Sequence, residues 1–393
     1  VPSPNRYIFA TLFFSIFAAV TGVGIVVPLL PVYAHSLGAS GLYIGLIFGA
    51  FSLSRTFFLP YFGHRSDRHG RKPYIVTGMF GYALISLALV ATESVTALIA
   101  IRFLQGIASA MMMPVIQAYV GDITPPGKEG SLMGLFNMSL FLGLSFGPVI
   151  GGLLNDQFSL TAAFSGMGLL AAVGFFLCLT FLPPTSTETI IRGNKLPVSW
   201  LKLLKDCELM GLFAFRLAYT TCIGIIWGFL PILADTEFGL SSFVIGLLVM
   251  LGVFISGLIH VPAGFIADRV NKLALIVIGG VLVMAAMHIF DRARGINALM
   301  AANVLFGLGG GVAMPALMAM AVIKGHQTGA MGAVMALLTM AHSLGMLIGA
   351  LSAGLIMDFF NLRYAFVSGT ILMALGTVFC YAMMAKAAAR HGE

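Results

Sequence analysis

Three arginines and two histidines interrupt otherwise apolar runs of this chain. Arg55, Arg102 and Arg216 each stand among aliphatic and aromatic neighbours, as do His260 and His342. At the centre of a lipid-embedded helix a guanidinium costs at least about 2.5 kcal/mol on insertion scales, so it faces a cavity, a partner or the interface. Arg55 lies mid-way along its run, too deep to reach the interface, and reads as a contact for substrate or for carbonyl oxygens. Arg102 and Arg216 sit nearer the ends of theirs, and each either has a task in the interior or extends its head to the interface. Histidine titrates near neutral pH, so His260 and His342 each could carry a coupling proton or be a neutral hydrogen-bonded packing group. Every Asp and Glu, by contrast, falls in a polar segment or near the end of an apolar run. The nearest substitute for an interior carboxylate is Asp122, a candidate proton site that could equally cap a helix end. Gln105, Met113, Asn137, Tyr219 and Trp227 join Arg55 and Arg216 as candidate lining of a substrate cavity. Methionine's flexible thioether suits adaptable binding surfaces, although lipid-facing filler accounts equally well for most of the Met and Phe in such a chain.

The elements that position these residues are membrane helices. Hydrophobic residues make up 59% of the chain and charged residues 9%, against about 25% charged in an ordinary soluble domain. Such a chain cannot cover a water-facing surface. About twenty apolar residues cross a bilayer, and the runs between charges and turn residues give spans near 7–34, 42–63, 73–92, 97–121, 130–154, 161–182, 208–233, 242–267, 272–290, 296–324, 329–355 and 362–385. They are too long and too uniformly apolar for barrel strands, so they are helices. Lys and Arg crowd one set of connections, while the opposite set holds only Arg292, Arg294 and Arg363. By the positive-inside rule both termini are cytoplasmic. The formal charge of +7 then belongs to helix ends facing anionic headgroups, not to a nucleic-acid site. The first run outlasts a cleavable signal's apolar core, so a spanning helix is expected there. Cys178, Cys207, Cys222 and Cys380 have no metal-ligand spacing, and neither disulfides, a metal nor a cofactor is expected. No nucleophile–base pair or phosphate loop points to an enzyme.

The chain is also written twice. Gly24 and Pro31 return as Gly224 and Pro231, Gly45 as Gly246, and Gly106 and Pro114 as Gly307 and Pro315. Gly143, Gly147, Gly152 and Asp156 return as Gly345, Gly349, Gly354 and Asp358. Two tandem halves in lipid are the layout of a transporter whose substrate sits between them. The expected organisation is a six-helix bundle over 1–184, a cytoplasmic linker over 185–207 and a second six-helix bundle over 208–393. Gly143, Gly147, Gly151 and Gly152, with Pro148 among them, let helix backbones approach closely and could form a hinge or seal.

Several motifs carry a family likeness. Gly63-His-Arg-Ser-Asp67-Arg68-His-Gly70-Arg71-Lys72 matches the loop G-x-x-x-D-R-x-G-R-K. Arg102-Phe-Leu-Gln105-Gly106 matches R-x-x-Q-G, and Gly143-Leu-Ser-Phe-Gly147-Pro148-Val-Ile-Gly151-Gly152 matches G-x-x-x-G-P-x-x-G-G. On these the chain resembles the major facilitator superfamily, and within it the drug:proton antiporter branch with twelve spans. The resemblance implies an all-α membrane protein of two pseudo-twofold-related six-helix bundles. It implies proton-coupled export of lipophilic small molecules by alternating access from a bacterial inner (plasma) membrane, by a monomer. It places Arg102 in the coupling machinery and makes Gly63 to Lys72 a latch of the cytoplasmic gate, although positive-inside charge alone would also place basic residues there. Asp67 beside Arg68, Arg71 and Lys72 is stabilised as an anion. The second copy of the loop, Asp268-Arg269, lacks the following glycine and arginine and should latch less firmly. One departure stands out: many proton-coupled relatives carry an acidic residue in the first span, and Tyr7 to Ala34 has none. The alternative is a transporter of organic anions or anionic (lyso)lipids bound by the intramembrane arginines.

Overall fold

The computed structural model describes residues 4–124, 129–184, 203–267, 269–328 and 331–391. These form long helices: α1 Pro4–Ser36, α2 Gly41–His69, α3 Lys72–Val90, α4 Val95–Ile123, α5 Glu129–Gln157 and α6 Leu160–Phe181 in the first half, then α7 Cys207–Thr236, α8 Ser242–Ala267, α9 Lys272–Arg292, α10 Ile296–Thr328, α11 Met331–Phe359 and α12 Leu362–His391 in the second. All twelve are long and apolar enough to cross a membrane, and the chain is a multi-pass membrane protein. Helix closes every backbone hydrogen bond within one segment, which is what hydrocarbon surroundings require. Several hydroxyls are satisfied the same way: Thr21 Oγ1 donates to Phe17 O at 2.7 Å and Thr56 Oγ1 to Ser52 O at 2.7 Å.

Local chemistry sets the ends. Gly38, Gly70 and Gly239 adopt φ of 80°, 88° and 58°, a region that side chains with Cβ avoid, and they follow α1, α2 and α7. Ser159, Asp206 and Asn271 cap α6, α7 and α9 by accepting from first-turn amides. After the second span the helix outruns the expectation by six residues. The segment from Gly63 to Lys72 is not a loop, because α2 continues to His69 and only Gly70 and Arg71 separate it from α3. The charged run Arg65 to His69 ends the hydrophobic span but contains no helix breaker, so the helix extends until Gly70 stops it.

The chain divides into two compact units. The first comprises Val1–Ala39, Ala50–Lys195 and Gly239–Met250; the second comprises Ser40–Gly49, Leu196–Phe238 and Leu251–Glu393. In the first, α1 packs on α5 and α6, and α3 on α4 and α6. In the second, α7 packs on α11 and α12, and α9 on α10 and α12. The sequence repeat therefore returns as a repeat of contacts. Each unit also takes the start of one helix from the other half: α8 begins in the first unit and α2 in the second. Of the segment expected to join the halves, 185–202 lies outside the described residues.

Glycine seams hold each unit. A Cβ at Gly147 would stand 2.5 Å from Thr21 O and 2.6 Å from Gly24 Cα, and one at Gly151 2.4 Å from Ile25 O. The second unit repeats the seam: a Cβ at Gly349 would meet Thr221 O at 2.1 Å, and one at Gly345 Leu217 O at 2.4 Å. These are backbone atoms that cannot step aside, so α5 lies directly on α1 and α11 on α7. Pro148 lies inside α5, and its carbonyl oxygen would stand 2.2 Å from a Cβ at Gly246.

Candidate functional site

The interior charges gather in two places, one per unit. In the first unit, Arg102 is 4% exposed and Gln105 is fully buried. Arg102 Nη1 donates to Gln105 Oε1 at 2.6 Å, and its guanidinium carbon lies 4.5 Å over the Phe51 ring. Gln105 Nε2 is enclosed without a hydrogen-bond partner, and so is Arg55 Nε. Buried Tyr82 of α3 stands within electrostatic reach of both Arg55 and Arg102. Arg55 is half-buried and points away from the exposed stripe of its helix. Leu53, Phe57 and Tyr61 form the exposed stripe of α2, and at 3.6 residues per turn Arg55 lies about 160° around from Leu53 and Phe57.

In the second unit, Arg216 of α7 donates from Nη1 to the Met314 thioether at 2.8 Å, while its Nε is enclosed and unpartnered. Tyr219 and His260 lie within electrostatic reach of it. The Tyr219 ring stacks on Phe306 at 5.5 Å between centroids. Gly310 makes room for the phenol: a Cβ there would stand 2.1 Å from Tyr219 Oη. The structure thus brings Met314, Tyr219 and His260 to Arg216. Among the other expected lining residues, Asn137 is exposed, Met113 and Trp227 are half-buried, and His342 is half-buried on α11.

Around the short α2–α3 connection, Arg71 is the organising residue. Its Nε donates to Asp122 Oδ2 at 3.1 Å and its Nη1 to Ser66 Oγ at 2.8 Å. One guanidinium therefore ties the end of α2, the start of α3 and the end of α4. Asp122 is a quarter exposed in this pair. Gly63 lies within the last turns of α2 with nothing within 4 Å of where a Cβ would be. Gly70 supplies the left-handed turn, Lys72 opens α3, and Arg269 is exposed in the turn after α8. Asp268 and the side chains of Asp67 and Arg68 lie outside the described residues.

Two further pairings were not readable from sequence as partners. Lys324 Nζ lies 2.9 Å from Asp206 Oδ2 and 2.8 Å from Glu208 Oε2, tying the end of α10 to the start of α7. Arg363 at the start of α12 holds Glu237 and the carbonyl oxygens of Asp291 and Ala293. The repeated carboxylates Asp156 and Asp358 turn out to be helix caps. Asp156 accepts from the amides of Ser242 and Phe243 at 3.1 and 2.8 Å, and Asp358 from those of Gly41 and Leu42 at 2.6 and 2.8 Å. The glycines repeated with them allow the approach: a Cβ at Gly152 would meet Ser242 O at 2.3 Å, and one at Gly354 Gly41 O at 2.2 Å.

Comparison with known proteins agrees with this architecture. The family model described as Major Facilitator Superfamily matches residues 12–322 and 212–392. An uncharacterized MFS-type transporter of Methanocaldococcus jannaschii is 27% identical over 369 residues, covering 93% of this chain and 95% of the relative. Multidrug resistance protein 1 of Bacillus subtilis is 24% identical over 382 residues, covering 95% of each chain. Among solved structures, the nucleoside transporter NupG has the same fold, with a TM-score of 0.82 at 14% identity over 96% of this chain and 99% of that one. A family match that reaches both halves, on a chain of twelve spans with a repeated contact pattern, establishes that this protein is a transporter belonging to the Major Facilitator Superfamily.

Proposed function

We propose that the protein is a secondary active exporter of lipophilic small molecules, working by alternating access as a monomer in a bacterial inner membrane with both termini cytoplasmic. The observation that carries this reading is the end-to-end similarity to Multidrug resistance protein 1. The glycine signature on α5 supports it, since Gly143, Gly147 and Gly151 are packed against the α1 backbone. In this reading Gly143, Gly147, Pro148, Gly151 and Gly152 form a seal that moves as the transporter cycles. Gly63, Asp67, Arg68, Gly70, Arg71 and Lys72, with the weaker pair Asp268 and Arg269, latch the cytoplasmic gate. Protons drive export, and Arg102, Asp122, His260 and His342 are the residues through which coupling would pass.

A second reading, transport of organic anions or anionic (lyso)lipids, is favoured by one specific observation. Arg55 and Arg216 each keep an enclosed Nε without a hydrogen-bond partner. The two readings separate in proteoliposomes loaded with lipophilic cations, neutral compounds or carboxylates, with and without a pH gradient. Gradient-driven movement of cations and neutral compounds supports the exporter. Movement of carboxylates alone would overturn it, and transport indifferent to the gradient would remove proton coupling.

A further inference from the structure

We infer that the first unit contains an anion subsite, built by Arg55 and Gln105 with Arg102 behind them, that takes a single small monoanion such as a carboxylate group. The proposal rests on the reading of the chain as a small-molecule transporter and specifies one part of what it binds.

The geometry begins with two matching triplets. Phe51, Ser54 and Arg55 share one face of α2, and Arg102, Gln105 and Gly106 share one face of α4, both at i, i+3, i+4 spacing. The faces meet: a Cβ at Gly106 would stand 2.0 Å from Ser54 Oγ and 2.4 Å from Phe51 O, and Arg102 covers the Phe51 ring. Arg55 and Gln105 are the immediate neighbours of the contacting pair. The Arg102 hydrogen bond fixes the Gln105 amide, because its oxygen accepts from Arg102 and its NH2 is therefore turned away. That NH2, in a side chain with no exposure, has no partner, and neither has Arg55 Nε. Both groups are donors only. Two guanidinium charges and an unanswered amide N–H call for an acceptor that also brings negative charge, and no Asp or Glu in the sequence lies mid-way along α2, α3 or α4.

The second half supplies an internal control. The register that carries Gly45 onto Gly246 and Gly106 onto Gly307 carries Arg55 onto Ser256, Arg102 onto Asn303 and Gln105 onto Phe306. The seam is the same there. A Cβ at Gly307 would meet Gly252 O at 2.5 Å and Ile255 Cβ at 2.9 Å, the counterparts of Phe51 and Ser54. Asn303 satisfies itself locally, donating to Leu299 O at 2.9 Å. The same helix contact is thus built without a single charge. Packing does not require Arg55, Arg102 and Gln105, so the unpartnered donors of Arg55 and Gln105 answer to something else.

The test uses the purified full-length protein in detergent, in a buffer low in small anions. Its melting temperature is followed against sodium benzoate, its neutral isostere benzamide and sodium chloride. Benzoate should raise the Tm saturably in the wild type and in Arg292→Gln, whose arginine is exposed at the end of α9. Arg55→Gln and Gln105→Leu should lose the response, and benzamide should give none. An equal response to chloride identifies a free inorganic anion as ligand, and a response to benzoate alone identifies a carboxylate of the transported molecule. Gln105→Glu supplies the carboxylate from within: it should melt higher than the wild type without ligand and ignore benzoate, which keeps the test decisive if the other variants fold poorly. No benzoate response in the wild type, or an intact one in Arg55→Gln, overturns the subsite. The assay needs no gradient. Loss of the response with drug export intact therefore counts against the subsite alone, and a response without any transport counts against the exporter alone.

Discussion

Replacing Asp358 by Asn perturbs one side chain that holds the start of α2 from the end of α11. The first-turn amides of a helix have no intrahelical acceptor. Asp358 accepts two of them, Gly41 N at 2.6 Å and Leu42 N at 2.8 Å. Asparagine keeps one acceptor oxygen and loses the other, together with the charge that favours a helix N-terminus. An N-cap is worth about 0.5–2 kcal/mol and the charge on the helix dipole about 0.3–1 kcal/mol. Because Asp358 is exposed, solvent replaces part of this, and the substitution should cost about 1–2 kcal/mol. Each 1.4 kcal/mol is tenfold in an equilibrium, so local opening should become roughly five- to thirtyfold more populated. Hydrogen–deuterium exchange of the peptide spanning 40–45 reads this directly, and amide exchange at Gly41 and Leu42 should accelerate by that factor. Ser242 and Phe243, capped by Asp156, provide the control within the same sample. Unchanged exchange at Gly41 and Leu42 would refute the cap.

Three further outcomes follow from contacts inside the units, each read as thermal unfolding in detergent. Gly147→Val should lower the Tm by several degrees, because the new Cβ meets Thr21 O and Gly24 Cα of α1, whereas Gly63→Ala meets nothing within 4 Å and should be neutral or stabilising by up to about 1 kcal/mol from helix propensity. Gly70→Ala forces a Cβ onto a residue at φ 88° and should cost about 1–2 kcal/mol. Lys324→Met leaves Asp206 and Glu208 facing each other without their shared ammonium. With both carboxylates a quarter exposed or slightly more, the loss should be about 1–2 kcal/mol, below that of a fully buried pair, and Asp206→Asn in the same chain should restore part of it.

The helices were legible because hydrocarbon imposes length and composition on every span, and the doubling was legible because glycines recur wherever backbones touch. The reach of α2 to His69 was not, since hydropathy marks where a helix leaves the apolar layer and not where it ends. Asp156 and Asp358 could be recognised as a repeated pair, but their partners are main-chain amides at Gly41, Leu42, Ser242 and Phe243, and an amide has no sequence signature. Arg71 and Asp122 lie far apart in sequence, and only the packing of α3 on α4 brings them together. Arg55, Arg102 and Gln105 were each conspicuous alone. Their junction depends on Gly106, whose missing side chain lets α2 and α4 close.

Scaffold and chemistry separate along the repeat, and this yields one more expectation. What recurs in both halves is what holds helices: the seams of Gly143 and Gly147 with Gly345 and Gly349, the turns at Gly38 and Gly239, the caps Asp156 and Asp358. What does not recur is the interior charge, since Arg55 and Arg102 fall on Ser256 and Asn303. Moving the second half's residues into the first, as Arg55→Ser, Arg102→Asn and Gln105→Phe together, should therefore leave a folded protein. Each buried guanidinium removed relieves an insertion cost of at least about 2.5 kcal/mol, set against the lost Arg102 contacts with Gln105 and Phe51. The triple variant should melt no lower than the wild type while ignoring benzoate. A variant that fails to fold would mean that the charges are needed by the fold itself, and that the neutral second unit is not a fair copy of the first.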